Sequence, residues 1–252
     1  MTNTTARRYA PVDHPGIPVP EGRRSWSVPW PGYEPVDITP PELRSPERAA
    51  AEHWVLDTCT DPREIRDELA ERRTHAVVPW DLDALGWPLH PGGRTGRCGR
   101  NLRAWGENAA ADPVVLAGTG ARQQLLLIRR GDCGQWAIPG GHVDPGETPV
   151  EALQRELAEE TGVDVSALAP RIVDQTLVDD PRATDHAWIA TTVGVYRLEE
   201  PVTPHAGDDA VDARWWPAAS LVALTTALTD AREQFYAAHR EVLAVALAPA
   251  DA

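Results

Sequence analysis

Three glutamates near the middle of the chain have the spacing of a shared cation site. Glu156 directly follows Arg155, Glu159 and Glu160 come three and four residues after Glu156, and Glu147 lies nine residues before Glu156. On a helix, residues three and four apart lie side by side, so the three carboxylates would be neighbours. At about 4 Å and an effective dielectric constant of about 20, each pair of like charges costs about 4 kcal/mol. Protonation or a bound cation relieves this repulsion, and oxygen-only ligands favour Mg²⁺ or Mn²⁺.

The residues around these glutamates predict the helix that positions them. Thr148, Pro149 and Glu151 form a capping box with proline at the first helical position. Gly162 supplies the left-handed terminator. The apolar positions of this helix recur at the spacing of a buried stripe and are Val150, Leu153 and Leu157. We therefore expect a helix between residues 149 and 161, with the carboxylates on the sector beside the stripe and Glu151 facing solvent.

The full pattern between residues 141 and 163 distinguishes two interpretations of this helix. A glutamate-rich helix is most often a solvated acidic surface. Here, however, the run GHVDPGETPVEALQRELAEETGV resembles the Nudix box, G-x5-E-x7-R-E-U-x-E-E-x-G-U with U apolar, and it fills every fixed position. The resemblance implies that Glu156 and Glu160 are the principal metal ligands, assisted by Glu159. It also implies that Arg155 orients a glutamate and that Glu147 supports the loop.

Short strings outside the box make the resemblance more specific. Seven of them occur in order between residues 26 and 239: WSVPWPGYEPV, GRTG, GR, WGENAAADP, DCGQWAIPGG, DDPRATDHAW and AGDDA. Together they resemble the ADP-ribose pyrophosphatases of the human mitochondrial type and the homologous domain of an ADP-ribose-gated cation channel. This resemblance implies an enzyme that uses Mg²⁺ to hydrolyse ADP-ribose to AMP and ribose 5-phosphate.

Two other functions stay open at this point. One is a Nudix hydrolase of another nucleoside diphosphate derivative, against which the flanking strings argue. The other is a module that binds ADP-ribose with little turnover, against which the intact box argues.

Candidate substrate-binding residues come from the same comparison. The channel domain grips its nucleotide with an Asp-Pro-Arg and with a Tyr-x-x-His on the last helix, which match Asp180, Arg182, Tyr236 and His239 here. For Arg182 the alternative is a surface salt bridge of little energetic value. For the tyrosine and histidine the alternative is a position facing the core.

A glycine- and arginine-rich stretch between residues 93 and 113 adds two further candidates. Alternating glycines allow a backbone to approach phosphates closely, so Arg94 and Arg100 are candidate substrate ligands. The alternative is a plain surface loop.

The general base is expected outside the helix. In Nudix enzymes it often lies on a later loop, and Asp208 and Asp209 occupy such a loop here. The alternative is that both aspartates only mark the end of a strand, in which case Glu159 becomes the next candidate.

The order of predicted elements indicates an α/β fold. We expect a Nudix α/β/α sandwich with a mixed sheet, preceded by a smaller N-terminal domain. Residues 1–110 would form an N-terminal arm and substrate-covering domain, and residues 111–252 the catalytic domain. Helices are expected from Ser45 and from Asp61, and over 221–247 with a break near 229–230. The predicted strands are residues 114–117, 125–129, 171–178, 187–196 and 211–216.

Composition limits the partners and the cell compartment. The chain of 252 residues has a net charge of −14 and no lysine, so all of its 24 basic side chains are arginine. Such acidity disfavours nucleic acid and anionic membranes as partners. Three cysteines without metal-ligand spacing and the absence of an apolar targeting segment favour a reduced, cytoplasmic protein. The oligomeric state is open, with a monomer as one option.

Overall fold

The computed structural model describes residues 15–248. The expected absence of an apolar targeting segment concerns residues 1–14, which lie outside the described residues. The chain divides into two compact units, the first comprising Met1–Ala109 and Thr176–Ala190, and the second comprising Ala110–Gln175 and Thr191–Ala252. Residues 176–190, which we expected in the catalytic domain, therefore fold with the N-terminal part of the chain.

The first unit consists of short elements. Its helices and strands are α1 (Glu21–Arg24), β1 (Val36–Asp37), α2 (Pro46–Ala49), α3 (Arg66–Thr74), β2 (Asp81–Leu82), β3 (Pro88–Leu89) and β4 (Arg97–Cys98), with 3-10 turns at Pro41–Leu43 and Pro62–Ile65. The two predicted helices exist but differ in extent. The helix after Ser45 has only four residues, because the chain soon turns so that Leu56 and Asp57 both donate backbone hydrogen bonds to the carbonyl of Arg103. The helix after Asp61 begins with a 3-10 turn, since the Asp61 carboxylate accepts from the nearer amide of Arg63.

The glycine- and arginine-rich stretch is a buried part of the first unit. A Cβ on Gly93 would lie 2.3 Å from the carbonyl oxygen of Arg24, and one on Gly96 would lie 2.1 Å from that of Ile17. The glycines are thus needed because another backbone segment passes directly over them. The alternative of a plain surface loop was wrong, because much of the stretch is buried and its glycines serve packing.

The main sheet has seven strands. Its strand order is β11-β6-β5-β10-β9, with β7 paired to β6 and β8 paired to β5. The strands are β5 (Gly106–Ala117), β6 (Gln124–Arg130), β7 (Trp136–Ala137), β8 (Gly141–His142), β9 (Arg171–Leu177), β10 (Ala187–Leu198) and β11 (Ala210–Pro217). Strand β5 begins earlier than predicted because Ala110 and Ala111 pair with β8, the segment that leads into the glutamate-rich helix.

Helices cover both faces of this sheet in the second unit. They are α4 (Pro149–Thr161), α5 (Leu221–Asp230) and α6 (Arg240–Ala246). Val115 and Leu126 pack with Leu153 of α4 on one face. Their neighbours Leu116 and Leu125 pack on the other face, in a cluster that contains residues of α5 and α6. Since successive strand residues point to opposite faces, the unit is an α/β/α sandwich, and the predicted α/β class is confirmed.

Helix α4 has the predicted caps and a different buried face. The Thr148 side chain accepts from the amide of Glu151, the Glu151 side chain accepts from the amide of Thr148, and Gly162 has a φ of 66°. However, Val150 is 37% exposed, whereas Glu156 and Glu160 are buried. The two glutamates belong to the buried face of the helix rather than to a sector beside it.

The C-terminal region is broken as predicted, but the break is longer. Between α5 and α6 lie Arg232, with a φ of 60°, and a 3-10 turn at Ala237–His239. Tyr236 precedes that turn and His239 ends it, so both lie before the last helix and not on it. Across residues 15–248, no helix has the length and apolar character that a membrane crossing requires. The cytoplasmic location and the monomeric option stay predictions.

Candidate active site

Arg155 is the centre of the carboxylate cluster in the second unit. Its Nε and Nη2 donate to the two carboxylate oxygens of Glu147, at 2.8 Å each. Its Nη1 donates to Glu156 at 2.8 Å and to Glu159 at 3.0 Å, and its Nη2 also donates to the carbonyl of His142 at 2.9 Å. These bonds occupy all five N–H groups of a guanidinium. The hydrogen bonds raise the pKa of Arg155 and lower that of Glu147. Arg155 therefore positions glutamates and has no donor left for a substrate.

The two buried glutamates have the opposite electrostatic character. Burial raises the pKa of Glu156, and it raises the pKa of Glu160 to about 8. Glu160 also accepts a hydrogen bond of 2.8 Å from the amide of Gly140. Ionised carboxylates at these positions are costly unless a positive charge compensates them.

Gly140 and Gly141 bring the backbone against these carboxylates. A Cβ on Gly141 would lie 2.5 Å and 2.7 Å from the two carboxylate oxygens of Glu156. Gly140 has a φ of 153°, and a Cβ there would lie 2.5 Å from a carboxylate oxygen of Asp112. The first glycine of the box pattern is thus explained by the space that the Glu156 carboxylate occupies.

The chemistry of these donors fits a hard divalent cation. Glu156, Glu159 and Glu160 offer only oxygen atoms, the donor type that Mg²⁺ and Mn²⁺ prefer. Within residues 15–248, no three His, Cys, Asp or Glu side chains already converge as a metal-binding group. Arg155 bonds to two of the glutamates, Glu156 and Glu159, and the Gly140 amide bonds to Glu160. The assignment of the three glutamates as metal ligands stays a prediction.

The loop with the two candidate bases is attached to the end of α4. His205 donates its amide to the carbonyl of Thr161 at 2.7 Å, and Gly207 donates to that of Glu160 at 3.1 Å. Asp208 is exposed and has a φ of 48°, a left-handed conformation that aspartate tolerates better than most residues. Its charge contributes to the raised pKa of Glu160. Asp209 is exposed as well. Both aspartates directly precede β11 (Ala210–Pro217), so the alternative that they only mark the end of a strand stays open. The assignment of a base stays a prediction.

Tyr236 and His239 lie in the same unit as the glutamates. Their rings meet edge to face, with centroids 5.0 Å apart. The Nδ1 atom of His239 accepts from the amide of Ile138 at 3.2 Å. Burial lowers the pKa of His239, so the ring is neutral near pH 7 and carries its proton on Nε2. His239 is therefore arranged as a hydrogen-bond donor.

The other substrate-binding candidates belong to the first unit. Arg182 is exposed and forms a two-pronged pair with Asp180, with Nε and Nη2 at 2.9 Å and 2.7 Å from the carboxylate oxygens. Arg94 is buried and donates to the carbonyls of Arg23 and Ser25. Arg100 is also buried and donates to the carbonyl of Arg103 at 2.9 Å. The structure thus gives Arg94 and Arg100 packing roles, while their contact with substrate stays a prediction.

Two charged residues beside the cluster were not among the predicted ones. Asp112 accepts a hydrogen bond of 2.7 Å from the hydroxyl of Thr191 and lies against Gly140. Arg130 stacks on the ring of Tyr236, with its guanidinium carbon 4.8 Å from the ring centroid. Asp112 lies within the string WGENAAADP, and Arg130 lies two residues before the string DCGQWAIPGG. These strings were therefore the sequence signal that could have identified the two residues.

Comparison with known proteins identifies both parts of the chain. The NUDIX domain family matches residues 108–243, and the family described as NUDT9-like, N-terminal domain matches residues 19–106. The mitochondrial ADP-ribose pyrophosphatase of Rattus norvegicus is 34% identical over 236 residues, which cover 78% of this chain and 66% of that protein. A nudix hydrolase of Caenorhabditis elegans is 35% identical over 212 residues, which cover 78% of this chain and 81% of that protein.

A channel protein also contains a similar segment. The transient receptor potential cation channel subfamily M member-like 2 of Nematostella vectensis is 32% identical over 247 residues, which cover 84% of this chain and 15% of the channel. The chain thus spans about two thirds of the rat enzyme and a small part of the channel. With a family match over more than half of its length and the box geometry described above, the chain belongs to the Nudix hydrolase family and carries a NUDT9-like N-terminal domain ahead of its Nudix domain.

Proposed function

We propose that the protein hydrolyses the diphosphate of ADP-ribose to AMP and ribose 5-phosphate with Mg²⁺. The observation that carries this proposal is the pair of buried glutamates on a capped helix, Glu156 and Glu160. They lie beside Arg155, which is paired with Glu147 in the preceding loop. Burying two carboxylates has a large electrostatic cost, which a catalytic cation site explains and a plain binding surface does not. The similarity to an ADP-ribose pyrophosphatase supports the choice of substrate.

The residues of the second unit suit displacement at phosphorus. Glu156 and Glu160, with Glu159, would hold the divalent ion that Nudix hydrolases generally use. When bound, such an ion neutralises charge on diphosphate oxygens and makes a water molecule more acidic. Arg155 fixes the carboxylate of Glu156 through a hydrogen bond of 2.8 Å. A carboxylate on the 208–209 loop would accept the proton of the attacking water.

Groups around the cluster suit a nucleoside diphosphate. The neutral His239 ring offers Nε2–H to an acceptor on the substrate, and the Tyr236 ring beside it offers an aromatic surface. Arg182, which belongs to the first unit, stays a candidate substrate ligand from the sequence alone.

A substrate panel tests the proposal directly. Purified protein with Mg²⁺ is incubated with ADP-ribose, diadenosine polyphosphates, NADH and nucleoside triphosphates, and the products are separated by ion exchange. ADP-ribose is expected to give the highest kcat/KM. Equal kcat/KM for all members of the panel would support a Nudix hydrolase and contradict ADP-ribose as its preferred substrate. Binding of ADP-ribose without turnover would instead favour the binding module.

Replacing Gly141 with alanine tests the position of the Glu156 carboxylate. The added methyl group would occupy the space of that carboxylate, and Gly141 does not have the positive φ that would strain the backbone of an alanine. Displacement of a catalytic group by about 1 Å costs about 100-fold. We therefore expect kcat/KM to fall by about 10–100-fold while the melting temperature changes little.

Gly22→Ala is the matched control for this variant. A Cβ at Gly22 meets nothing within 4 Å, so wild-type kinetics are expected. If Gly141→Ala keeps the wild-type kcat/KM, the Glu156 carboxylate is not required where the structure places it.

A further inference from the structure

We propose that Arg130 binds a phosphate oxygen of the substrate through the free end of its guanidinium group. This inference rests on the proposed function, because it names a residue that would hold the diphosphate of the same substrate. Arg130 was not among the arginines that the sequence indicated, and unlike Arg155 it has guanidinium N–H groups that the protein does not use.

Two neighbours hold the guanidinium of Arg130 in a fixed orientation. Asp132 accepts from Nε at 3.0 Å and from Nη2 at 2.7 Å, which is the side-on, two-pronged geometry. The Tyr236 ring lies against the flat face of the group, 4.8 Å from its central carbon. Of five N–H bonds in a guanidinium, Asp132 uses two. Of the three others, one on Nη1 and one on Nη2 point in the same direction and form a fork that matches two oxygens of a phosphate.

Arg130 also lies where a diphosphate would be needed. It pairs across the sheet with Ala210, which directly follows the Asp208–Asp209 loop, and the amide of Gly131 donates to the carbonyl of Asp209 at 3.0 Å. The same loop is bonded to α4 through the amide of Gly207 and the carbonyl of Glu160, and the Tyr236 ring that contacts Arg130 meets the ring of His239. Arg130 therefore lies near the carboxylate cluster and in contact with Tyr236, the groups between which a nucleoside diphosphate would extend.

The other arginines of this region have different tasks. All five N–H groups of Arg155 are used within the protein. Arg129 donates from Nε to the carbonyl of Gly134 at 3.0 Å, and its Nη2 lies 4.0 Å from Glu233. Because alternate residues of β6 point to opposite faces, Arg129 and Arg130 differ in surroundings while sharing charge and sequence context.

A held guanidinium is effective because its ordering cost is already met in the free protein. The chain has a net charge of −14, and the carboxylates of the site would repel a diphosphate. A fixed guanidinium offsets part of this repulsion at the point of contact. The contact exists in the bound substrate as well as in the transition state, so its loss is expected to act mainly on binding.

The test compares Arg130→Met and Arg130→Lys with Arg129→Met as the matched control. Binding is measured by calorimetry with Mg²⁺ in a Glu156→Gln background, which slows turnover, and KM and kcat are measured in the wild-type background. We expect Arg130→Met to weaken ADP-ribose binding and raise KM by about 10–100-fold. Arg130→Lys should lie in between, since it keeps the charge and loses the fork. Adenosine, which has no phosphate, should bind all variants alike.

Several outcomes would overturn the inference. They are unchanged ADP-ribose binding in Arg130→Met, an equal loss in Arg129→Met, and an equal loss for adenosine, which would show that Arg130 acts only through Tyr236. If the wild-type protein neither binds nor hydrolyses ADP-ribose, the inference fails together with the choice of substrate. If the wild-type protein hydrolyses ADP-ribose and the Arg130 variants bind it as well as the Arg129→Met control does, the inference alone fails. Melting temperatures of all variants show whether each is folded.

Discussion

Glu156→Gln and Glu160→Gln are each expected to lower kcat/KM for ADP-ribose by more than about 100-fold at saturating Mg²⁺. Residues that merely support a metal ligand contribute about 10–100-fold, and these two glutamates are the proposed ligands themselves. Glutamine keeps the shape of the side chain and removes its charge. Since burial raises the pKa of Glu160 to about 8, a neutral side chain suits the metal-free fold. Both variants should therefore remain folded, which their far-ultraviolet circular dichroism would show.

A second measurement connects this loss to the metal ion. A ligand that binds only the folded state raises its stability, so Mg²⁺ should raise the melting temperature of the wild type and raise that of the variants less. Glu151→Gln is the control, because Glu151 is exposed and its capping role is one that glutamine also performs. Near wild-type kcat/KM in either Glu156→Gln or Glu160→Gln would show that the box does not form the catalytic centre.

The helix that carries these glutamates could be predicted because its signals are local. The capping box, the proline and the terminal glycine lie within a few residues of the ends that they define. The buried face was harder to predict. Val150 is apolar but exposed, while Glu156 is charged but buried, and a stripe drawn from apolar residues alone misses a charged residue that the site requires on the buried side.

Long-range contacts account for the packing that the local sequence pattern did not predict. Arg94 and Gly96 resemble parts of a phosphate loop when only nearby residues are considered. In the structure they pack against Arg24 and Ile17, which lie about seventy and about eighty residues earlier in the sequence. The role of Gly141 depends likewise on the position of Glu156 in space. No local pattern contains this information, because it arises only when the chain has folded.

The acidic loop after α4 is expected to supply the general base, and Asp208 is the better candidate of its two aspartates. The loop is fixed to the end of the helix by the bond from the Gly207 amide to the carbonyl of Glu160. Asp208 adopts a left-handed backbone, with a φ of 48°, and such conformations are often retained at functional sites. Its charge acts on Glu160. These features place a solvent-accessible carboxylate near the glutamates.

Loss of a base acts on the transition state and not on substrate binding. Asp208→Asn is therefore expected to lower kcat by about 10²–10⁴-fold with KM little changed, and asparagine tolerates the left-handed backbone as well as aspartate does. Asp209→Asn serves as the neighbouring comparison and should lose much less. Steady-state kinetics with ADP-ribose and Mg²⁺, for both single variants and the double variant, measure these effects. If the double variant keeps its kcat, the base lies elsewhere, and Glu159, an exposed glutamate beside Glu156 and Glu160, is the next residue to replace.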